Sequence, residues 1–161
     1  FNDTATTEIY TERNSSAASD VYKRQVSCRP DVLITHLPSD YHREHRATYE
    51  IVKEAVEWAA HTTTYEEPWL VGRLLLMEVN TLISSPHVLL DVSDVWPLKE
   101  AAVECYPTQL AKFEDGYYQR FTRAKAELRG VQGGCEYAEA FLEEPLQRNG
   151  PFYEAKASKS L

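Results

Sequence analysis

Apolar and polar positions alternate along the chain in two rhythms, short unbroken apolar runs and longer stretches with one apolar stripe. The run Asp31-Val32-Leu33-Ile34-Thr35-His36 reads as a strand of the kind parallel sheets bury. Leu37–Tyr41 is a loop, and a helix follows from about His42 to His61, with Ala47, Ile51, Ala55, Val56 and Ala59 on one face. Asp40 is placed to cap it, and Glu44 suits its electropositive first turn. Thr62–Pro68 reads as a break. Trp69–Val79 and His87–Val92 read as further strands, with a loop over Thr81–Pro86 between them. A helix is expected over Val95–Tyr106, where Pro97 fits the first turn. A longer amphipathic helix runs from Glu114 to about Gly130, with Tyr117, Phe121, Ala124 and Leu128 as its stripe. Gly133-Gly134 ends it or follows closely, and Cys135–Phe141 fits strand or helix equally. No internal repeat is present.

The two ends differ from the middle. Residues 1–25 are polar, without a sustained period and without a histidine. The segment Asp20-Val21-Tyr22-Lys23-Arg24-Gln25 back-translates as GAT GTG TAT AAG AGA CAG, a string resembling a transposon end used to prepare sequencing libraries. Residues 1–25 are therefore expected to be a non-native, adapter-derived, disordered leader, with a genuine disordered leader as the alternative. On the first reading Val26 is an arbitrary break and the natural protein begins upstream. Residues 26–144 form the α/β domain, and residues 145–161 are a polar tail expected to fray.

Composition narrows the function classes. The 161 residues suffice for one domain with a real core, and 43% are hydrophobic. A net charge of −8, from 25 acidic against 17 basic residues, argues against a broad nucleic-acid surface. No apolar run reaches the length of a membrane span, and no secretory signal is present in the segment. Cys28, Cys105 and Cys135 are odd in number and widely spaced, which fits a reducing, cytoplasmic setting. Oligomeric state is not readable.

The chemistry concentrates at Thr35-His36-Leu37-Pro38-Ser39-Asp40-Tyr41-His42-Arg43-Glu44-His45-Arg46-Ala47-Thr48. It lies where the first strand turns into a helix, at the strand end where open α/β sheets collect ligands. His42 and His45 are three apart, so on a helix they share a face and can aim at one point. This string resembles the zinc-dependent de-N-acetylases of the PIG-L/LmbE-like family, whose pattern reads approximately T-H-x-P-x-D-x-H-x-[DE]-H-R-A-T. Two further blocks are similar to the family in order: Leu90-Asp91-Val92-Ser93-Asp94-Val95 with Lys99 and Tyr106-Pro107-Thr108-Gln109, then Arg129-Gly130 to Glu136-Tyr137-Ala138-Glu139-Ala140-Phe141. The resemblance covers about residues 26–144.

The resemblance implies a Rossmann-like three-layer α/β sandwich with a mostly parallel sheet, lacking its N-terminal strand or strands. It implies a metal-dependent N-deacetylase that takes an acyl group from an amino-sugar or glycoconjugate, a small-molecule substrate of the N-acetylglucosamine type, with Zn²⁺ as cofactor. His45 aligns with a zinc-binding histidine, and His42 with one that stabilises the tetrahedral intermediate. Glu44 stands where the family usually has Asp, tuning a histidine. His36, Asp40, Arg46, Gln109 and Glu139 are substrate-binding or supporting candidates. Each has a plainer alternative: packing for His36, helix capping for Asp40, and surface or structural roles for Arg46, Gln109 and Glu139. The family's upstream A-H-P-D-D-E-like motif, which supplies two zinc ligands and the general base, has no counterpart before His36. The chain by itself is therefore expected to bind zinc weakly and to be inactive. The alternative is a non-catalytic Rossmann-like homologue that binds a ligand or partner. A site built from His36, His42 and His45 alone is a third reading.

Overall fold

The computed structural model describes residues 17–61 and 66–146. Nine elements follow one another: α1 (residues 17–28), β1 (Val32–His36), α2 (Arg43–Ala59), β2 (Arg73–Met77), β3 (Val88–Asp91), α3 (Trp96–Glu104), α4 (Pro107–Leu110), α5 (Tyr117–Gly133) and β4 (Ala138–Glu144). A 3₁₀ turn at Ser93–Val95 leads into α3. The strands form one sheet in the order β1-β2-β4-β3. β1 and β2 are parallel, whereas β4 runs antiparallel to both its neighbours, β2 and β3.

The expectation of a mostly parallel sheet is thus corrected. Val92 N–H bonds to the Tyr137 carbonyl at 2.9 Å, so β4 begins beside the end of β3. The chain goes out through α3 and returns through α5, re-entering the sheet at the end it left. Gly134, with φ +75°, ends α5 in a left-handed turn. Gly130 lets that turn close, because a Cβ there would meet the Glu136 carbonyl oxygen at 2.3 Å.

One face of the sheet carries Leu74, Leu76, Glu78, Ala140 and Leu89. Tyr49 and Val56 of α2 join Leu37, Val71, Leu74, Leu76, Ile83 and Ala140 in the core. α5 covers the β4–β3 side of that face, with Gly133 against Leu89 and Arg129 bonded to Glu78. On the opposite face Val32 and Ile34 of the edge strand β1 are 46% and 51% exposed, so β1 is less buried than its apolar run implies. The expected stripe on α5 is also corrected. Tyr117 and Leu128 are exposed, while Ala126, Arg129 and Gly130 are buried, because this helix packs through a polar contact.

Residues 17–25, expected to be disordered, are helical, and α1 passes through Gln25 and Val26 without a break. Ala18 and Gln25 are buried, and among the described residues both amide atoms of Gln25 lack a hydrogen-bond partner. Residues 1–16 and 147–161, with the rest of the proposed leader and most of the tail, lie outside the described residues. Cys28, Cys105 and Cys135 are free thiols. Among the described residues no helix is long and apolar enough to cross a membrane.

Candidate functional site

The carboxyl ends of β1 and β2 lie side by side, with His36 paired to Met77, and the candidate residues gather there. Leu37 is buried and anchors the chain as it leaves β1. A turn follows, closed by Asp40 N–H to the Leu37 carbonyl at 3.2 Å. The Asp40 carboxylate then accepts the His42 N–H at 2.8 Å, an Asx-type turn that sets the start of α2. His42, not Asp40, is the residue that flanks the helix, so Asp40 acts one step earlier than a cap. Arg46 reaches back from the first turn and donates to the carbonyls of Asp40 and Tyr41 at 2.8 and 2.7 Å. Its role is to clasp this loop.

One helical turn brings His45 over the same spot. Its Nδ1 lies 3.2 Å from Asp40 Oδ1, and the Asp40 side chain is fully buried. A carboxylate facing Nδ1 favours a hydrogen there, which leaves the Nε2 lone pair pointing away. The rings of His36 and His45 stack at 3.9 Å and 9°, and His42 lies 4.7 Å from His45. Nδ1 of His36 and of His42 are buried without a hydrogen-bond partner among the described residues. Burial pushes the Asp40 carboxyl up, but donors from the His42 and Asn80 backbone, the Asn80 amide and His45 outweigh it and hold it below its ordinary value. Burial, followed by the neighbouring His45, pushes the His36 imidazole below its ordinary value.

The chain just beyond β2 completes the cluster. Asn80 donates its backbone N–H to Asp40 Oδ2 at 3.3 Å, and its amide nitrogen lies 3.4 Å from Asp40 Oδ1 and 3.3 Å from His45 Nδ1. Sequence reading missed this residue. The signal was the abrupt change from Leu74-Leu75-Leu76-Met77 to Glu78-Val79-Asn80 at a strand's carboxyl end.

Other candidates stand apart. Glu44 is exposed, and its carboxylate has no hydrogen bond or ion pair among the described residues; Asp40 holds His45 instead. Gln109 is exposed and accepts from Lys112, while Glu139 pairs with Lys99. No hydrogen bond or ion pair joins either to the histidines among the described residues. A groove of about 200 Å³ between α3 and α5 is lined by Trp96, Lys99, Glu100 and Arg123 among others, and by none of the histidines.

A metal fits this cluster only in part. His45 has the geometry of a ligand oriented by a carboxylate. In stacked rings, however, the in-plane lone pairs of His36 and His45 run side by side and do not converge. Among the described residues no group of three or more His, Cys, Asp or Glu could hold a metal ion. The three-histidine site is therefore not formed here.

The class this defines is an α/β domain with a polar, histidine-rich cluster at the carboxyl ends of two parallel strands. No protein-family model and no curated protein matches the sequence. Solved structures do share the fold. The conserved protein TT1542 from Thermus thermophilus superposes with a TM-score of 0.72 at 26% identity, over 87% of this chain and 63% of that one. GalB, the 4-carboxy-2-hydroxymuconate hydratase from Pseudomonas putida, gives 0.67 at 19% identity, over 84% of this chain and 61% of that one. N,N′-diacetylchitobiose deacetylase from Pyrococcus horikoshii gives 0.65 at 24% identity, over 81% and 51%. The chain thus spans between half and two-thirds of these proteins' lengths. A deacetylase and a hydratase share the architecture, so the fold alone does not choose the reaction.

Proposed function

We propose that this chain is part of a PIG-L/LmbE-like zinc-dependent hydrolase that removes an acetyl or related acyl group from an amide nitrogen, with an N-acetylglucosamine-type sugar as substrate. The observation that carries the reading is the buried Asp40 carboxylate 3.2 Å from Nδ1 of His45, a pairing that would leave Nε2 free for a metal. The motif around it and the fold shared with a chitobiose deacetylase support the same reading.

Bound zinc would polarise the amide carbonyl and make hydroxide available near neutral pH. His45 would supply one of its ligands, and the others would come from outside the described residues. Asp40, in place of Glu44, orients His45. His42, whose ring lies 4.7 Å from that of His45, would donate to a developing oxyanion. Arg46 and Asn80 keep the loop and carboxylate in place. With one fitting ligand and no identified general base, the chain by itself is expected to show weak zinc binding and no turnover.

The test is to read the source template through the codons for Gln25 and Val26 with long reads and no transposon step. The open reading frame found there is then expressed and assayed for acetate release from N-acetylglucosaminides. Zinc-dependent release that disappears in His45→Ala supports the proposal. A product that neither binds zinc nor releases acetate overturns it in favour of a non-catalytic binding scaffold. Hydration of a hydroxymuconate without amide hydrolysis would overturn it in favour of the reaction that GalB's name gives.

A further inference from the structure

We infer that Asn80 is a positioning residue of this site: it locks the Asp40 carboxylate from the β2 side and thereby fixes the His45 ring against His36. The inference deepens the hydrolase reading and rests on it for the use to which His45 is put. Asp40 is the hub of the cluster, and its two oxygens are claimed from two directions. Its own loop supplies one donor, the His42 N–H at 2.8 Å. Asn80, forty residues away in sequence, reaches both oxygens, with its backbone N–H on Oδ2 at 3.3 Å and its side-chain amide beside Oδ1 at 3.4 Å. The same amide nitrogen lies 3.3 Å from His45 Nδ1. One amide therefore touches both members of the Asp–His pair. A carboxylate is the stronger acceptor for it, because hydrogen bonds to ionised groups outweigh neutral ones. His45 Nδ1 then keeps its hydrogen for Asp40.

Asn80 can do this because its own segment is pinned. Lys125 of α5 donates to the carbonyls of Glu78 and Val79 at 2.8 and 2.7 Å. The Glu78 carboxylate accepts the Ile83 N–H at 2.6 Å, and Arg129 donates to the Ile83 carbonyl at 2.7 Å. Residues 78–83 are thus tied at both ends before Asn80 meets Asp40. The neighbouring Thr81 also bridges the loops, its hydroxyl oxygen accepting the Tyr41 N–H at 3.2 Å, but among the described residues no hydrogen bond joins it to Asp40 or His45.

The test reads the His45 ring directly. In the metal-free chain, the side-chain proton resonances of His45 carry an upfield ring-current shift from the stacked His36. Asn80→Leu, of similar size but without the amide, is expected to fold and to lose that shift toward the value of an unstacked imidazole. Thr81→Ala is expected to keep it. A folded Asn80→Leu that retains the shift overturns the inference, and so does equal loss in Thr81→Ala, which would make the effect one of loop anchoring. Should the leucine variant fail to fold, Asn80→Ala is read in the same way. The spectrum needs neither metal nor substrate, so this inference and the hydrolase reading can fail separately.

Discussion

Replacing Arg129 with methionine removes the cation from a buried ion pair while keeping most of the apolar volume. The Arg129 and Glu78 side chains are 4% and 2% exposed. Arg129 donates to both Glu78 oxygens, to the Ile83 carbonyl and to Gln132. Once the guanidinium is gone, the Glu78 carboxylate stays buried with the Ile83 N–H as its remaining hydrogen-bond donor among the described residues. Breaking a buried pair from one side costs about 3–5 kcal/mol, roughly a fifth or more of the stability of an ordinary domain. In Glu78→Leu with Arg129→Met both charges leave; the Ile83 carbonyl loses its partner just as in the single variant, and only the Ile83 N–H is newly left without one, at about 1–3 kcal/mol. The double variant is therefore expected to be more stable than Arg129→Met alone. Urea unfolding of the four proteins, with midpoints compared at constant slope, measures the coupling. An Arg129→Met variant within about 1 kcal/mol of the parent, or a double variant at the sum of the singles, refutes the reasoning.

Three further outcomes follow from the same contacts. Gln25→Leu is expected to raise the urea midpoint by about 1 kcal/mol of stability, since both buried amide atoms lack partners; an unchanged or lower midpoint would show that the amide is solvated in solution. Gly130→Ala is expected to cost about 3 kcal/mol, because the new methyl meets backbone oxygens of Glu136 and Cys135, and a thermal shift of under a degree would contradict that packing. In metal-free buffer, stability is expected to depend on pH through His36, whose folded value lies below its ordinary 6.5. The unfolded chain then binds the proton first, so the stability His36 contributes is present above that value and is lost as pH falls through the folded one. His36→Phe should flatten this window. A separate loss at lower pH belongs to Asp40, whose folded value lies below 3.8.

The site's first half was legible in sequence because its determinants are local. An apolar run, a loop with Asp40 and a helix start placed His36, His42 and His45 together, and the structure brings their rings within 3.9 and 4.7 Å. The role of Asn80 was harder to read, since its partners lie thirty-five and forty residues away and only the apolar-to-polar switch at the end of β2 marks its place. The direction of β4 was missed for a similar reason: nothing in Cys135–Phe141 records that the chain returns to the end of the sheet it left. On α5 the apolar positions misled. The helix turns Lys125 and Arg129 inward to meet Glu78 and the carbonyls beyond β2, and leaves Leu128 outside. A polar interior contact has no hydrophobic period by which to find it. Glu44 was favoured by its place in the motif, yet Asp40, the buried residue, faces the imidazole.

On the proposed function, Asp40 holds His45 so that Nε2 is free for a metal. Long-range proton–nitrogen correlation of the metal-free, ¹⁵N-labelled chain above neutral pH reads which ring nitrogen carries the hydrogen. Hydrogen is expected on Nδ1 of His45, and its transfer toward Nε2 in Asp40→Leu. Hydrogen already on Nε2 in the parent chain would contradict it, because that nitrogen would then be a donor with no lone pair to offer a metal.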